Sequence, residues 1–250
     1  MIQLKSQREI EIMARGGKIL ADTVSLMERT VKPGMTTADL DAIAEEYIRS
    51  HPGATPSFKG LYNFPASICS SINNEIVHGI PSRKRILNEG DVVSIDVGVF
   101  YEGYHTDSAT TVAVGKVDDE SQRLLSVTRE ALGAGVAVAK AGNHLGDIGA
   151  AVQAVVEAAG FSVVRDLVGH GIGTGFHEEP QVPNYGKPNR GIRLVPGLTI
   201  AIEPMVNIGK PGIRTMPDKW TIVTIDGKRS AHFEHTVAIT ENGPRILTAA

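Results

Sequence analysis

Cysteine occurs once in 250 residues, at Cys69, so no disulfide can form within the chain. No apolar run approaches the length of a membrane span or a secretory signal. Neither sign of charge is in excess: 25 Lys and Arg against 28 Asp and Glu leave a net charge of -3, without the broad basic field that nucleic acid would require. No low-complexity linker interrupts the chain. These absences lead to the expectation of a cytoplasmic protein whose partner is a substrate, with neither DNA nor membrane involved. What remains is 42% hydrophobic content, enough to bury a sizeable core as one domain (residues 1–250) or two closely fused halves.

Two stretches of the chain look like copies. Val31-Lys32-Pro33-Gly34 through Asp39-Leu40 matches Ala139-Lys140-Ala141-Gly142 through Asp147-Ile148, displaced by 108 residues, and each opens a predicted helix. Gly90 stands six residues before Asp96, and Gly197 six before Glu203; both acids follow an isoleucine. His105-Thr106-Asp107 leads into Thr111-Val112-Ala113-Val114, as His232-Phe233-Glu234 leads into Thr236-Val237-Ala238-Ile239. The pseudo-repeats span about 31–115 and 139–240. A duplication of this order would gather four carboxylates around a pseudo-twofold axis. Four anions that close cannot all stay ionised without counter-charge. Protons can supply it, but four carboxylates with His170 nearby describe a hard, oxygen-rich site for two divalent cations.

The first acid pair is supported by its own spacing. Asp91 to Val99 reads as a mostly buried strand, Tyr101-Glu102-Gly103 as a turn, and Thr110 to Val114 as the return strand. With the turn centred on Tyr101 and Glu102, Asp96 and Asp107 would face each other across an antiparallel ladder, roughly 5 Å apart at Cβ.

Helix signals are equally local. Ser6 and Glu9 form a capping box ahead of Ile10, Met13, Gly17, Leu20, Val24 and Met27, which recur every three or four residues. A second helix is expected from near Thr37, using Leu40, Ile43, Ala44, Tyr47 and Ile48, to before His51-Pro52-Gly53. Others are expected around Glu120 to Ala139 and Leu145 to Ala159. Asp226-Gly227 reads as a hairpin turn. The period-two stretches are too many and too hairpin-linked for a doubly wound parallel sheet, so an α+β fold is predicted: antiparallel sheet covered by helices, in two pseudo-twofold halves.

The histidines divide by setting. His170 sits in Val168-Gly169-His170-Gly171-Ile172-Gly173, where glycines would leave room for a ligand; His177 follows in Gly175-Phe176-His177-Glu178-Glu179-Pro180, and His78 lies in Asn73-Asn74-Glu75-Ile76-Val77-His78-Gly79. His105 and His232 share a strand face with the acid two residues on and read as supporting partners, while His51 and His144 read as surface residues.

Together these segments resemble the type I methionine aminopeptidases, metallopeptidases of the pita-bread fold, over nearly the whole chain. The resemblance rests on the ordered set Asp96, Asp107, His170, Glu203, Glu234 and the motifs around it. It implies a curved antiparallel sheet under helices and two divalent metal ions (Co, Mn, Fe or Zn). Asp96 and Asp107 would bind one, His170 and Glu203 the other, with Asp107 and Glu234 bridging. It further implies a metal-bridging hydroxide as nucleophile, Glu203 as proton shuttle, His177 on the oxyanion and His78 on the scissile amide. The implied methionine pocket is Phe58, Leu61, Phe64, Cys69, His78, Phe176, His177 and Trp220, of which Phe64, Phe176 and Trp220 read equally well as core residues. At Phe58, Leu61 and Phe64 the chain departs from the cysteine and tyrosines frequent in bacterial members. Asn73, Glu75 and Ser230 match a monovalent-cation site.

The chain begins at the catalytic domain, without the zinc-finger extension of eukaryotic type I forms or the long insertion of type II. The resemblance therefore implies a bacterial-type monomer that removes the initiator methionine from nascent N-termini near the ribosome when the second residue is small. A proline-specific peptidase of the same fold and a non-catalytic pita-bread binding protein are the alternatives.

Overall fold

The computed structural model describes residues 2–249. Helix α1 (Gln7–Thr30) starts where the Ser6 side chain accepts the Glu9 amide and the Glu9 carboxylate accepts the Ser6 amide at 2.7 Å, a cap whose loss costs about 1 kcal/mol. It buries Ile10, Met13, Gly17, Leu20 and Met27, while Val24 is only half-buried. Gly17 is needed for the approach itself, because a Cβ there would run into the Leu247 carbonyl. Helix α2 (Thr37–Arg49) is boxed by Thr36 and Asp39 and stops ahead of His51-Pro52-Gly53. Helix α3 (Asp119–Val138) is capped by Asp118, which accepts the Ser121 amide at 2.7 Å, and α4 (Leu145–Ala158) follows.

Among the described residues every strand pairing is antiparallel, in four sheets. In the first, β1 (Ala54–Pro56) and β2 (Ile68–Ile72) share one edge of β4 (Val92–Tyr101), and β5 (Tyr104–Ala113) takes the other. A small sheet pairs β12 (Ile222–Thr224) with β3 (Glu75–Val77) and β11 (Ile213–Thr215). Another pairs β10 (Met205–Asn207) with β6 (Ser162–Val163) and β13 (Ser230–His232). The fourth runs β15 (Gly243–Ile246), β14 (His235–Thr240), β9 (Thr199–Ile202), β7 (Gly169–Gly171), β8 (Glu178–Val182).

Helix α1 lies across β4 and β5, and α2 against β1 and β2; α3 and α4 pack on each other and over the strands of the second half. Each half has its own apolar core. One gathers Leu20, Leu40, Ile48, Ile68, Ile95 and Val97, the other Leu124, Ile148, Val152, Ile200, Ile202 and Val237. The turns leading into α2 and α4 are built alike. Gly34 donates to the Leu87 carbonyl at 2.8 Å and Gly142 to that of Leu194 at 2.9 Å; Thr36 bridges Ile86 as His144 bridges Arg193. The Thr36 amide donates to Asp39 at 2.8 Å, the His144 amide to Asp147 at 2.6 Å. Gly90 and Gly197 likewise donate to Val114 and Ile239, at 2.9 and 3.0 Å.

One expectation from turn chemistry is overturned. Asp226-Gly227 does form a tight turn, with the Asp226 carboxylate accepting the Lys228 amide at 3.1 Å, but the flanking strands do not pair. β12 joins β3 and β11 while β13 joins β10, so the turn hands the chain from one sheet to another.

Candidate metal centre and adjoining apolar cavity

Asp96 and Asp107 come from the long β4–β5 hairpin. Its turn is Glu102-Gly103, both with positive φ (46° and 92°), one residue later than the sequence reading placed it. The register therefore slides by two. Asp96 pairs with Ala109, and Asp107 with Gly98, so the two acids are diagonal neighbours, not direct partners. An even slip preserves the face, and both carboxylates still point the same way. Gly98 serves this arrangement by having no side chain: a Cβ there would meet the rings of Phe176 and Phe58 at 3.0 Å.

Hydroxyl groups tie the second half to this hairpin. The Asp107 amide donates to the Thr236 hydroxyl, which donates back to the Asp107 carbonyl, both at 2.8 Å. Ser108 donates to the Glu234 carbonyl and Thr111 to that of His232, each at 2.8 Å, while the Glu234 amide donates to Ala109 at 3.0 Å. Glu234 is thereby set beside Asp107. Glu203 follows the end of β9 and His170 lies within β7, neighbouring strands of one sheet.

All five residues converge. His170 Nε2 lies 3.7 Å from Asp107 Oδ2 and 3.8 Å from Glu203 Oε1. The Nδ1–H of His170 donates to the Gly171 carbonyl at 2.8 Å, which leaves the Nε2 lone pair turned toward the acids. His232 Nε2 stands 3.6 Å from Glu203 Oε2 and 3.8 Å from Glu234 Oε2. Two groups of possible ligand atoms, Asp107, His170 and Glu234, and Glu203, His232 and Glu234, each fall within 4.8 Å of one another.

The electrostatics fit divalent cations. Asp96 Oδ1, Asp107 Oδ1 and Glu234 Oε1 are buried without a hydrogen-bond partner. Burial, then the neighbouring carboxylates, holds Asp96 and Glu234 well above the usual acid range; Asp107 is also raised by burial, against the pull of His170. Burial alone would lower His170, but the neighbouring Asp107 and Glu203 carboxylates outweigh that and raise it. Orphaned buried oxygens whose ionised forms are disfavoured by one another are what a cation would satisfy.

The cluster lines one end of a largely apolar cavity of about 160 Å³. Phe58, Leu61, Phe64, Cys69, Phe176 and Trp220 line it together with His78, His177 and the five acid and imidazole residues, so every residue singled out for the site meets there. Its aromatic walls interlock edge to face: Phe58 on Phe176 at 5.3 Å between centroids, Phe64 on Trp220 at 5.0 Å. Burial and the nearby Asp96 and Asp107 push the Cys69 thiol well up, so it presents neutral sulfur. Burial lowers His78, and desolvation by the site wall together with His170 takes His177 down to about 4. Both rings are neutral near pH 7.

Some details differ from the sequence reading. The glycines around His170 serve close packing, not ligand room: a Cβ at Gly169 or Gly171 would strike the Ala201 or Glu179 carbonyl, and one at Gly173 would strike Lys5. His105 supports the cavity wall, with Nδ1 2.9 Å from the Ser57 hydroxyl and its ring on Phe100 and Phe176; burial lowers its pKa to about 4. His232 Nε2 stands near both Glu203 and Glu234, with neither ring nitrogen hydrogen-bonded. Asn73 and Ser230 meet through a 2.9 Å backbone bond, and Glu75 is engaged by the Ile72 amide and by Arg85. Tyr62, absent from the sequence reading, lines the cavity mouth against His177. Lys5 and Glu178 form a buried ion pair that fastens the N-terminal segment to the loop bearing Phe176 and His177.

The sequence matches the profile of metallopeptidase family M24 over residues 11–241. The chain belongs to that family. Among M24 relatives, "Methionine aminopeptidase" of Clostridium perfringens is 54% identical over 248 residues, covering 99% of each chain. The crystal structure of methionine aminopeptidase from Thermotoga maritima superposes with a TM-score of 0.98 at 44% identity over the whole of both chains. A prolidase from Pyrococcus horikoshii shares the fold at a TM-score of 0.79, but at 24% identity and over 63% of its own length. The pita-bread architecture and use of divalent metal follow from M24 membership and the ligand cluster. Among the described residues no helix is long and apolar enough to cross a membrane.

Proposed function

We propose that this M24 chain is an aminopeptidase that removes N-terminal methionine from polypeptides whose second residue is small, working as one catalytic domain built from halves 31–115 and 139–240. The observation that carries this is the union, in one cavity of about 160 Å³, of a charge-frustrated carboxylate cluster and apolar walls. The cavity suits one unbranched thioether side chain, and the acids suit a free α-amino group at its rim.

Asp96, Asp107, His170, Glu203 and Glu234 would hold two divalent cations of the Mn, Fe, Co or Zn class, with His232 steadying Glu203 and Glu234. When bound, such ions supply a Lewis acid and make water nucleophilic near neutral pH. The chain's own groups do the rest. Glu203, half-buried at the edge of the cluster, carries a proton to the leaving amine. His177, neutral, donates an N–H to the developing oxyanion, and His78 contacts the scissile amide. Phe58, Leu61, Phe64, Cys69, Phe176 and Trp220 exclude water from the methionine side chain.

The same proposal extends to a cytoplasmic monomer acting on nascent chains near the ribosome, and to a monovalent cation at Asn73, Glu75 and Ser230. Hydrolysis of Met-Gly-Met against an Xaa-Pro peptide tests the substrate assignment. Free methionine released from the first and nothing from the second is expected; the reverse would assign proline specificity, and inactivity on both would assign a binding role.

A further inference from the structure

Tyr62 occupies a conformation that needs a reason. It and Asn63 both have positive φ, 50° and 69°, in the short turn Leu61–Asn63, a region that bulky side chains rarely enter. The residue is 63% exposed at the cavity mouth, so burial does not explain the strain. The ring instead stacks on His177, with centroids 5.7 Å apart and planes 13° from parallel, and the phenol oxygen lies 3.3 Å from His177 Nδ1. The His177 ring also meets that of His170, with centroids 4.4 Å apart and planes at 71°.

A neutral imidazole has one donor nitrogen and one acceptor, and the partner of one nitrogen decides the state of the other. For His177 to donate to an oxyanion from Nε2, Nδ1 has to be the acceptor. A phenol hydroxyl is a good donor at that position. We infer that Tyr62 is a positioning residue: its hydroxyl donates to His177 Nδ1 and fixes the Nε2–H tautomer, while its ring holds the imidazole plane toward the cavity. The inference rests on the role proposed for His177, and adds the residue that makes that role possible.

The test uses metal-reconstituted full-length protein. Tyr62→Phe keeps the stack and removes the donor; it should lower kcat on a Met-Ala-Ser peptide about three- to tenfold, the worth of one hydrogen bond, with KM within twofold. In a His177→Ala background the same substitution should change nothing, since Tyr62 acts only through that ring. Histidine ¹⁵N spectra, with the His177 signals identified by their loss in His177→Ala, should show Nδ1 unprotonated in the wild type and a mixture of tautomers in Tyr62→Phe. Tyr62→Phe with wild-type kcat and an unaltered tautomer would overturn the inference, as would an equal loss in the His177→Ala background. If His177→Ala itself kept full activity, the oxyanion role of His177 would fail, and the ¹⁵N spectra would then decide the tautomer assignment by themselves.

Discussion

Glu234→Gln should stabilise the metal-free protein and weaken the stabilisation that metal adds. The Glu234 carboxyl is 1% exposed, its Oε1 has no partner, and burial followed by the charges of Asp107, Glu203 and Asp96 raises its pKa well above the usual range. A raised carboxyl contributes stability that is complete below its unfolded pKa, near 4.3 for a glutamic acid, and is lost as pH rises through the folded value. Near pH 8 the metal-free wild type has given up about 1.4 kcal/mol for each pH unit by which the fold raises this carboxyl. Glutamine, a stand-in for the protonated acid, gives up none. At about 2–4 °C per kcal/mol for a chain of this size, the metal-free variant should melt about 3–6 °C higher for each such pH unit. With metal the variant's advantage shrinks. Ligand at 100 times Kd stabilises the wild type by about 2.7 kcal/mol, or about 5–11 °C, which a neutral amide facing the cations cannot match. Thermal denaturation at pH 8, in chelator and in saturating divalent metal, measures both. A variant less stable than wild type under both conditions, or one with an undiminished metal response, would refute the reading of Glu234 as a frustrated ligand.

Asp107→Asn should abolish turnover, and His170→Ala should weaken metal uptake, whereas His177→Ala should bind metal normally and lose about 100-fold in kcat; calorimetric titration beside kinetics separates them. Lys5→Met leaves Glu178 buried without its cation and should destabilise the protein by about 3–5 kcal/mol in denaturant melts, while Lys5→Arg should recover most of it. Met-Ala peptides should be cut faster than Met-Lys peptides, and norleucine should replace methionine at a cost of about 1–3 kcal/mol in kcat/KM.

Helices were legible because their signals are local: the Ser6 and Glu9 box, the Thr37 start and the break at His51-Pro52-Gly53 all stand where the residues put them. The β4–β5 register was legible only to the face. Moving the turn centre from Tyr101 and Glu102 to Glu102-Gly103 slides the pairing by two residues, a slip invisible to period-two patterning. Asp226-Gly227 announced a turn but not the partners of its strands, since sheet membership depends on contacts with β3 and β10, far away in the chain. The convergence of the acids was suggested by duplicated motifs. Tyr62 was not, because its stack on His177 joins residues 115 apart with no shared pattern.

Release of free methionine from a Met-Ala-Ser peptide, by chelated protein before and after addition of divalent metal, tests the dinuclear aminopeptidase most directly. No release is expected from the metal-free protein, with recovery on adding at least one of Mn, Fe, Co or Zn and saturation at two ions per chain. Release at the full rate from metal-free protein, or none with any of the four, would contradict it.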